Sequence, residues 1–263
     1  MPWPFDREYM QLALAAGVVV GACAPLIGTF LVHKQMSLLG DGIGHLAFAG
    51  VAGGLLLGIW PVWSALAVAV LGAVAIERLR ARGRASGDLA LALFFYGGVA
   101  AAVVLAGRSS GGTAKALPYL FGSLLTVTRG DVAVVAVTGA AIVTTVLVAG
   151  RAMFAILVDE ESARVAGLPV DTLNTLLVAM AALTVVAALM VLPVGTARLV
   201  AASFRSALIL GAVVGVTCVV IGLATARAWA LAPGGSIVLT AAAAFAATAL
   251  ATGARRGGIS LPR

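Results

Sequence analysis

Apolar runs of about 20 residues, the length that crosses a hydrocarbon core as a helix, recur along nearly the whole chain. Eight of them fall at roughly 10–32, 36–58, 61–77, 88–106, 131–149, 172–192, 207–225 and 235–252. Short polar or glycine-rich stretches separate them. This pattern predicts an all-α, polytopic transmembrane helical bundle of about eight spans. The tails at both ends are short and no stretch is long enough to fold separately, so 1–263 reads as one transmembrane domain. No internal repeat stands out.

The flanks of the runs refine that picture. Trp3, Phe5 and Tyr9 form an aromatic cluster before the first run, and Trp60 and Trp63 bracket the turn after the second, as residues at a headgroup boundary do. Pro25 lies inside the first run, where a kink is expected; His33 and Lys34 close that run at the interface. The third run ends in Glu77, Arg78, Arg80, Arg82 and Arg84. Four arginines in one short loop mark the cytoplasmic side, and Glu77 is expected to pair with Arg80 or a neighbouring arginine; a place beside a cation pathway is the alternative. Gly107–Gly112 is a flexible loop. Ala116–Thr126 is apolar but too short to cross, and reads as a re-entrant or interfacial segment.

Composition agrees. The chain is 62% hydrophobic and 10% charged, against about 25% charged in soluble domains. Its formal charge of +7 would suit nucleic acid in a soluble protein. In a membrane protein it reflects lysine and arginine held on the cytoplasmic side, so lipid is the expected surroundings and no nucleic-acid partner is expected. The first run is too long for a signal peptide and lacks a basic leader. Cys23 and Cys218 sit within apolar runs as small core residues, not a disulfide framework. No G-x-x-x-x-G-K-[ST] occurs, so the chain carries no such cradle for ATP phosphates.

The chemistry concentrates in Met36–Gly58, where Asp41 and His45 interrupt an apolar run. Four residues apart, they share one helix face one turn apart, and Phe48 and Ala52 continue that face. Ionisable groups within a span cost a few kcal/mol and normally face a bundle interior or a wet path. A carboxylate beside an imidazole suits zinc or manganese. Two readings are open here: a cation pathway, or Asp41 as a solvated helix cap with His45 packed against a carbonyl. Gly50, Gly53 and Gly54 follow, small enough for neighbouring helices to approach closely.

LLGDGIGHLAFAGVA resembles the second-helix signature L-x-G-D-[AG]-[IL]-S-H-A-x-x-P-G of the zinc/manganese permease family of binding-protein-dependent ABC importers, of ABC-3 type. It matches at Gly40, Asp41, Gly42, His45 and Gly50, and departs at Gly44, Leu46 and Ala49. Residues 154–171 carry a second likeness. Asp159, Glu160 and Glu161 open a short acid-capped helix, which Gly167 ends before Pro169; an ordinary surface helix has the same features. The family has F-D-E-x-x-A-x-x-x-G here, matched at Asp159, Glu160, Ala163 and Gly167, with Val158 in place of the phenylalanine. Weaker likenesses lie at Leu120-Phe121-Gly122, at Pro193, Ala197, Arg198 and Leu199, and at Pro233, Gly235, Ile237, Val238 and Leu239.

The resemblance implies a permease subunit in the plasma (inner) membrane that imports a divalent metal, zinc or manganese. Asp41 and His45 would touch the passing metal. The 159–167 segment would dock a separate ABC ATPase subunit, an extracytoplasmic metal-binding protein would deliver the cargo, and the permease would form a homodimer. No permanently bound cofactor and no enzymatic activity of its own are implied. Three other readings compete: a permease for a metal chelate, siderophore or vitamin; an intramembrane metal enzyme, weakened by having only two histidines and no H-E-x-x-H; and a non-transporting membrane scaffold.

Charge then questions the span count. With eight alternating spans, eight of the 17 lysines and arginines fall inside and nine outside, against the usual inside excess. One further crossing or re-entrant break near 185–200 makes it twelve inside and five outside. The resemblance agrees, because family members have a longer apolar stretch there, ending in the motif of Pro193. At about 20 residues per crossing, 172–193 is too short for two full spans, so half-helices meeting inside the bundle are expected, or a shortened and impaired transporter.

Overall fold

The structure, a computed structural model, describes residues 3–36, 38–83, 87–109, 114–115, 119, 128–189 and 204–257. Among these residues every regular element is helical. In chain order they are α1 (Glu8–His33), α2 (Leu39–Leu57), α3 (Pro61–Ala81), α4 (Gly87–Arg108), α5 (Arg129–Val158), the short α6 (Glu160–Val165), α7 (Val170–Leu189), α8 (Phe204–Trp229) and α9 (Pro233–Gly257). Seven are long and apolar enough to cross a membrane, against about eight expected; α9, over the eighth run, contributes a shorter apolar stretch, Pro233–Thr248. The re-entrant reading of 116–126 falls outside the described residues, apart from Tyr119, and the motif of Pro193 lies wholly outside them.

Local signals account for the helix ends. Pro61 opens α3 at its first turn, where its missing N–H costs nothing. Thr128 and Asp131 form a reciprocal capping box at the start of α5. α3 runs past its apolar stretch and keeps Glu77 in the helix. That carboxylate is 2% exposed and bound twice by Arg80, from Nε at 2.9 Å and a terminal nitrogen at 2.7 Å.

α1 and α2 organise the bundle. α1 packs on α5, α7 and α8; α2 packs on α3, α4 and α7; α9 packs on α8. α1 continues through Pro25. Proline lacks the N–H that would bind the carbonyl four residues back, so the Gly21 oxygen loses its usual donor. Gly215 of α8 lies directly against that oxygen, and a Cβ on Gly21 would meet the Gly215 backbone at 3.0 Å. Only glycines permit this crossing, and a Cα–H beside a carbonyl gives a weak favourable contact.

Contacts fix the direction of each helix. One end of the bundle gathers Lys34 at the end of α1, Glu77 and Arg80 at the end of α3, Glu160 of α6 and Asn174 early in α7. Phe204, which opens α8, belongs to this same end: its ring meets Phe30 at 4.9 Å, Phe154 at 4.9 Å and His33 at 5.5 Å. The other end holds the Glu8–Arg129 pair at 2.6 Å, Trp60 against Gly130, and Leu223 and Ile237 packed with Met10 and Ala13. α7 rises from the Lys34 end until Thr184 and Ala187 stand beside Val20 and Cys23. α8 also starts at the Lys34 end, so α7 and α8 run parallel although they are consecutive among the described helices. The charge distribution pointed the same way: Ser206 falls on the side of the arginine loop.

Candidate functional site

Asp41 and His45 lie one turn apart at the start of α2, with Asp41 in its first turn, where the helix dipole favours a carboxylate. Neither makes a side-chain hydrogen bond or ion pair among the described residues. Asp41 is exposed and His45 half-buried. The His45 ring stands edge-on to Phe95 of α4, centroids 4.4 Å apart at 73°, and Phe95 in turn meets Tyr96. The Phe95 contact thus seats the imidazole against α4.

Glycines bring the neighbouring helices against this turn. A Cβ on Gly98 would sit 3.0 Å from the His45 carbonyl carbon, and one on Gly42 would sit 2.6 Å from Leu91. Gly40 and Gly44 both face Val185 of α7 at 3.8 Å. The pair therefore stands between α4 and α7. Phe48 and Ala52, on the same face, pack with Leu105 and Ala106 of α4. Further along, Gly50 lies against the α3 backbone, where a Cβ would come 2.7 Å from Ala65 Cα, and Gly54 lies against Ser64 and Pro61; Gly53 faces open space up to Leu105 at 3.8 Å. Among the described residues no third His, Cys, Asp or Glu joins Asp41 and His45.

The second candidate site is α6. Asp159 caps it, its Oδ1 accepting from the Glu161 and Ser162 amides at 3.0 and 3.1 Å. The Ser162 hydroxyl, which also donates to Asp159, and these amides hold the Asp159 carboxyl below the usual carboxylate range. Gly167 ends the segment at φ +83°, a left-handed conformation that suits glycine. Leu168 N–H then reaches back to the Ala163 carbonyl at 3.1 Å. Ala163 is buried on Ile156, Val170, Leu168 and Leu173, so it seats the segment on α5 and α7. The outward face carries Glu161, Arg164 and Val165, the last 86% exposed. In the sequence Val165 shows only as a β-branched residue on the face opposite Ala163. Arg164 bonds Asp171 at 3.1 Å, and Glu160 turns inward to Lys34 at 3.6 Å.

Comparison with known proteins covers the same length of chain. Residues 6–252 match the family model described as the ABC 3 transport family. The manganese transport system membrane protein MntC of Halalkalibacterium halodurans is 29% identical over 250 residues, 91% of this chain and 86% of that protein. The manganese import system permease protein ScaB of Streptococcus gordonii is 26% identical over 251 residues, 91% of this chain and 90% of that protein. Among solved structures, PsaBC from Streptococcus pneumoniae in complex with Fab superposes with a TM-score of 0.81 at 29% identity, over 92% of this chain and 91% of that one.

Proposed function

The chain belongs to the ABC 3 transport family, and from that premise we propose that it is the membrane permease subunit of an ABC importer for a divalent metal cation, with manganese favoured over zinc. The observation that carries this reading is the end-to-end similarity to a manganese transport membrane protein, combined with a carboxylate and an imidazole on one face of α2 between α4 and α7. Oxygen donors favour manganese and imidazole favours zinc, so the lean toward manganese comes from the relatives.

Asp41 and His45 contact the metal in transit. A conduit must bind weakly enough to release. Two protein ligands per chain, completed by water or backbone oxygens, meet that requirement better than a closed four-ligand site. His45 ligates through an unprotonated nitrogen, with the ring oriented by Phe95. A separate ATPase docks on α6 through the face bearing Glu161 and Val165, an extracytoplasmic metal-binding protein delivers cargo, and two copies form the permease. The Arg78–Arg84 loop and α6 then face the cytoplasm of a plasma-membrane importer.

The test is uptake of radiolabelled manganese by the complex of permease and ATPase in proteoliposomes. Asp41→Asn and His45→Ala should each lower uptake by more than about tenfold, the loss seen even when an outer partner of a metal ligand is removed. Membrane insertion and co-purification with the ATPase should be unchanged. Wild-type uptake rates in both variants would make the pair structural. Uptake of a chelate but not of the free ion would replace the metal reading with the chelate one.

A further inference from the structure

Lys34 ends α1, and its side chain is only 11% exposed. Its ammonium donates to Asn174 Oδ1 of α7 and faces Glu160 Oε2 of α6 at 3.6 Å. Burial pulls its pKa below the usual lysine range; Glu160 opposes that, Arg80 adds to it, and Glu77 again opposes it. These are the charged groups around it, and Glu77 is already held by Arg80. Glu160 also pairs with Arg164 at 3.8 Å through its other oxygen, and among the described residues it is the carboxylate within ion-pair distance of Lys34. A buried ammonium is costly unless paired.

The link from Lys34 to α2 is short, and the residues on either side of position 37 are tied down. Gln35 takes a left-handed φ of 58°, costly for a non-glycine residue, and its N–H binds the Val32 carbonyl at 3.1 Å. Met36 N–H reaches back to Leu31 at 2.8 Å, and Leu39 N–H binds Met36 at 3.1 Å. Three residues after Met36 α2 begins, with Asp41 in its first turn. A displacement of α6 would strip Lys34 of its counter-charge unless Lys34 moved too, and the link to α2 leaves little slack to absorb the movement.

We propose that Lys34 is the positioning residue through which α6 sets the α1–α2 connection, and with it the turn that carries Asp41 and His45. This rests on the reading of α6 as the ATPase dock. The Glu160 side chain is 43% exposed, so the pair is buried at its lysine end alone and is weak glue; its value at this place is that it couples the position of one element to that of another.

The experiment uses the complex of permease and ATPase, with Cys23→Ala and Cys218→Ala in the background and Leu38→Cys as reporter. Leu38 is 65% exposed and precedes α2. Maleimide labelling of the reporter is measured with and without vanadate-trapped nucleotide. With Lys34 intact the rate should change by about threefold or more, on the scale of a local two-state shift of ~0.7 kcal/mol. Lys34→Met should abolish that change and uncouple manganese uptake from hydrolysis, while the ATPase still co-purifies and hydrolyses ATP; Lys34→Arg should restore the response. An equal response in Lys34→Met, no response with Lys34 intact, or loss of the ATPase from the Lys34→Met complex would each overturn the relay. If the reporter responds but the unmutated complex moves no manganese, the metal reading fails and the relay stands. If Glu161→Lys and Val165→Asp leave ATPase binding untouched, the docking reading fails instead.

Discussion

Asp41 and Asp159 are both acids at the start of a helix, and their surroundings give them different work. The Asp159 oxygens are taken up by the Glu161 and Ser162 amides and the Ser162 hydroxyl, so its charge serves the end of α6. The Asp41 oxygens carry no bond from the described residues and remain open to an ion. The Asp159 carboxyl is depressed in the folded state, so its contribution to α6 is complete above the ordinary value of 3.8 and is lost only as pH falls through the lowered one. Protection of the Glu161 and Ser162 amides, taken as exchange relative to the intrinsic rate at each pH, should therefore hold down to the ordinary value of 3.8 and fall below it. Asp159→Asn, still a good cap, should remove that pH dependence, and Asp159→Ala should leave the amides fast throughout; identical exchange in all three would show the cap to be idle. The one-turn spacing of Asp41 and His45 was legible in the sequence, because helical periodicity alone sets it. Phe95 and Gly98, which position the imidazole, were not: they lie about 50 residues away on α4 and reach His45 only through tertiary packing. Lys34 likewise read as an interfacial residue because its partners, Glu160 and Asn174, come from distant elements.

Element packing shows the same division between local and tertiary information. The small-residue run after His45 announces close helix approach, but not which glycine meets a neighbour. In the structure Gly50 faces the α3 backbone, whereas Gly53 has room for a methyl group. Gly50→Ala should therefore force α2 away from α3 and cost about 1–3 kcal/mol, the range for overpacking. Gly53→Ala should be neutral or stabilise by up to about 1 kcal/mol through helix propensity. Melting of the two variants in detergent checks this; equal effects would mean that α2 does not pack as described. The limits of α6 were readable because cap and stop are local signals: an acid whose oxygens reach the next amides, and a glycine at positive φ. The inward face of Ala163 and the outward face of Val165 depend on how α6 lies on α5 and α7, and one short helix does not encode that.

For the whole molecule, the parallel course of α7 and α8 bears on sidedness and on how the helices come together. Arg82→Cys and Ser206→Cys should resist a membrane-impermeant thiol reagent in intact cells and label after lysis, while Leu231→Cys should label directly; labelling of Ser206→Cys from outside would restore a plain alternation of spans. The distribution of lysine and arginine favours one side for Ser206 and the arginine loop, since sidedness is written in loop charge. The depth reached by α7 was not legible, because an apolar run of about 20 residues fits one full crossing as well as part of two. The parallel pair also bears on how the ribosome's product enters the bilayer. Antiparallel neighbours can insert as a hairpin, loop trailing, but α7 and α8 cannot. Instead α8 pairs with α9, and that hairpin packs on α1, which is made before it, at the Gly21–Gly215 crossing. The later hairpin would then seal the earlier helix into the bundle. If so, a gene split between residues 196 and 197 should yield two fragments that are unstable when expressed singly and accumulate when co-expressed. Stable accumulation of the first fragment alone would show that α1 does not wait for its late partner.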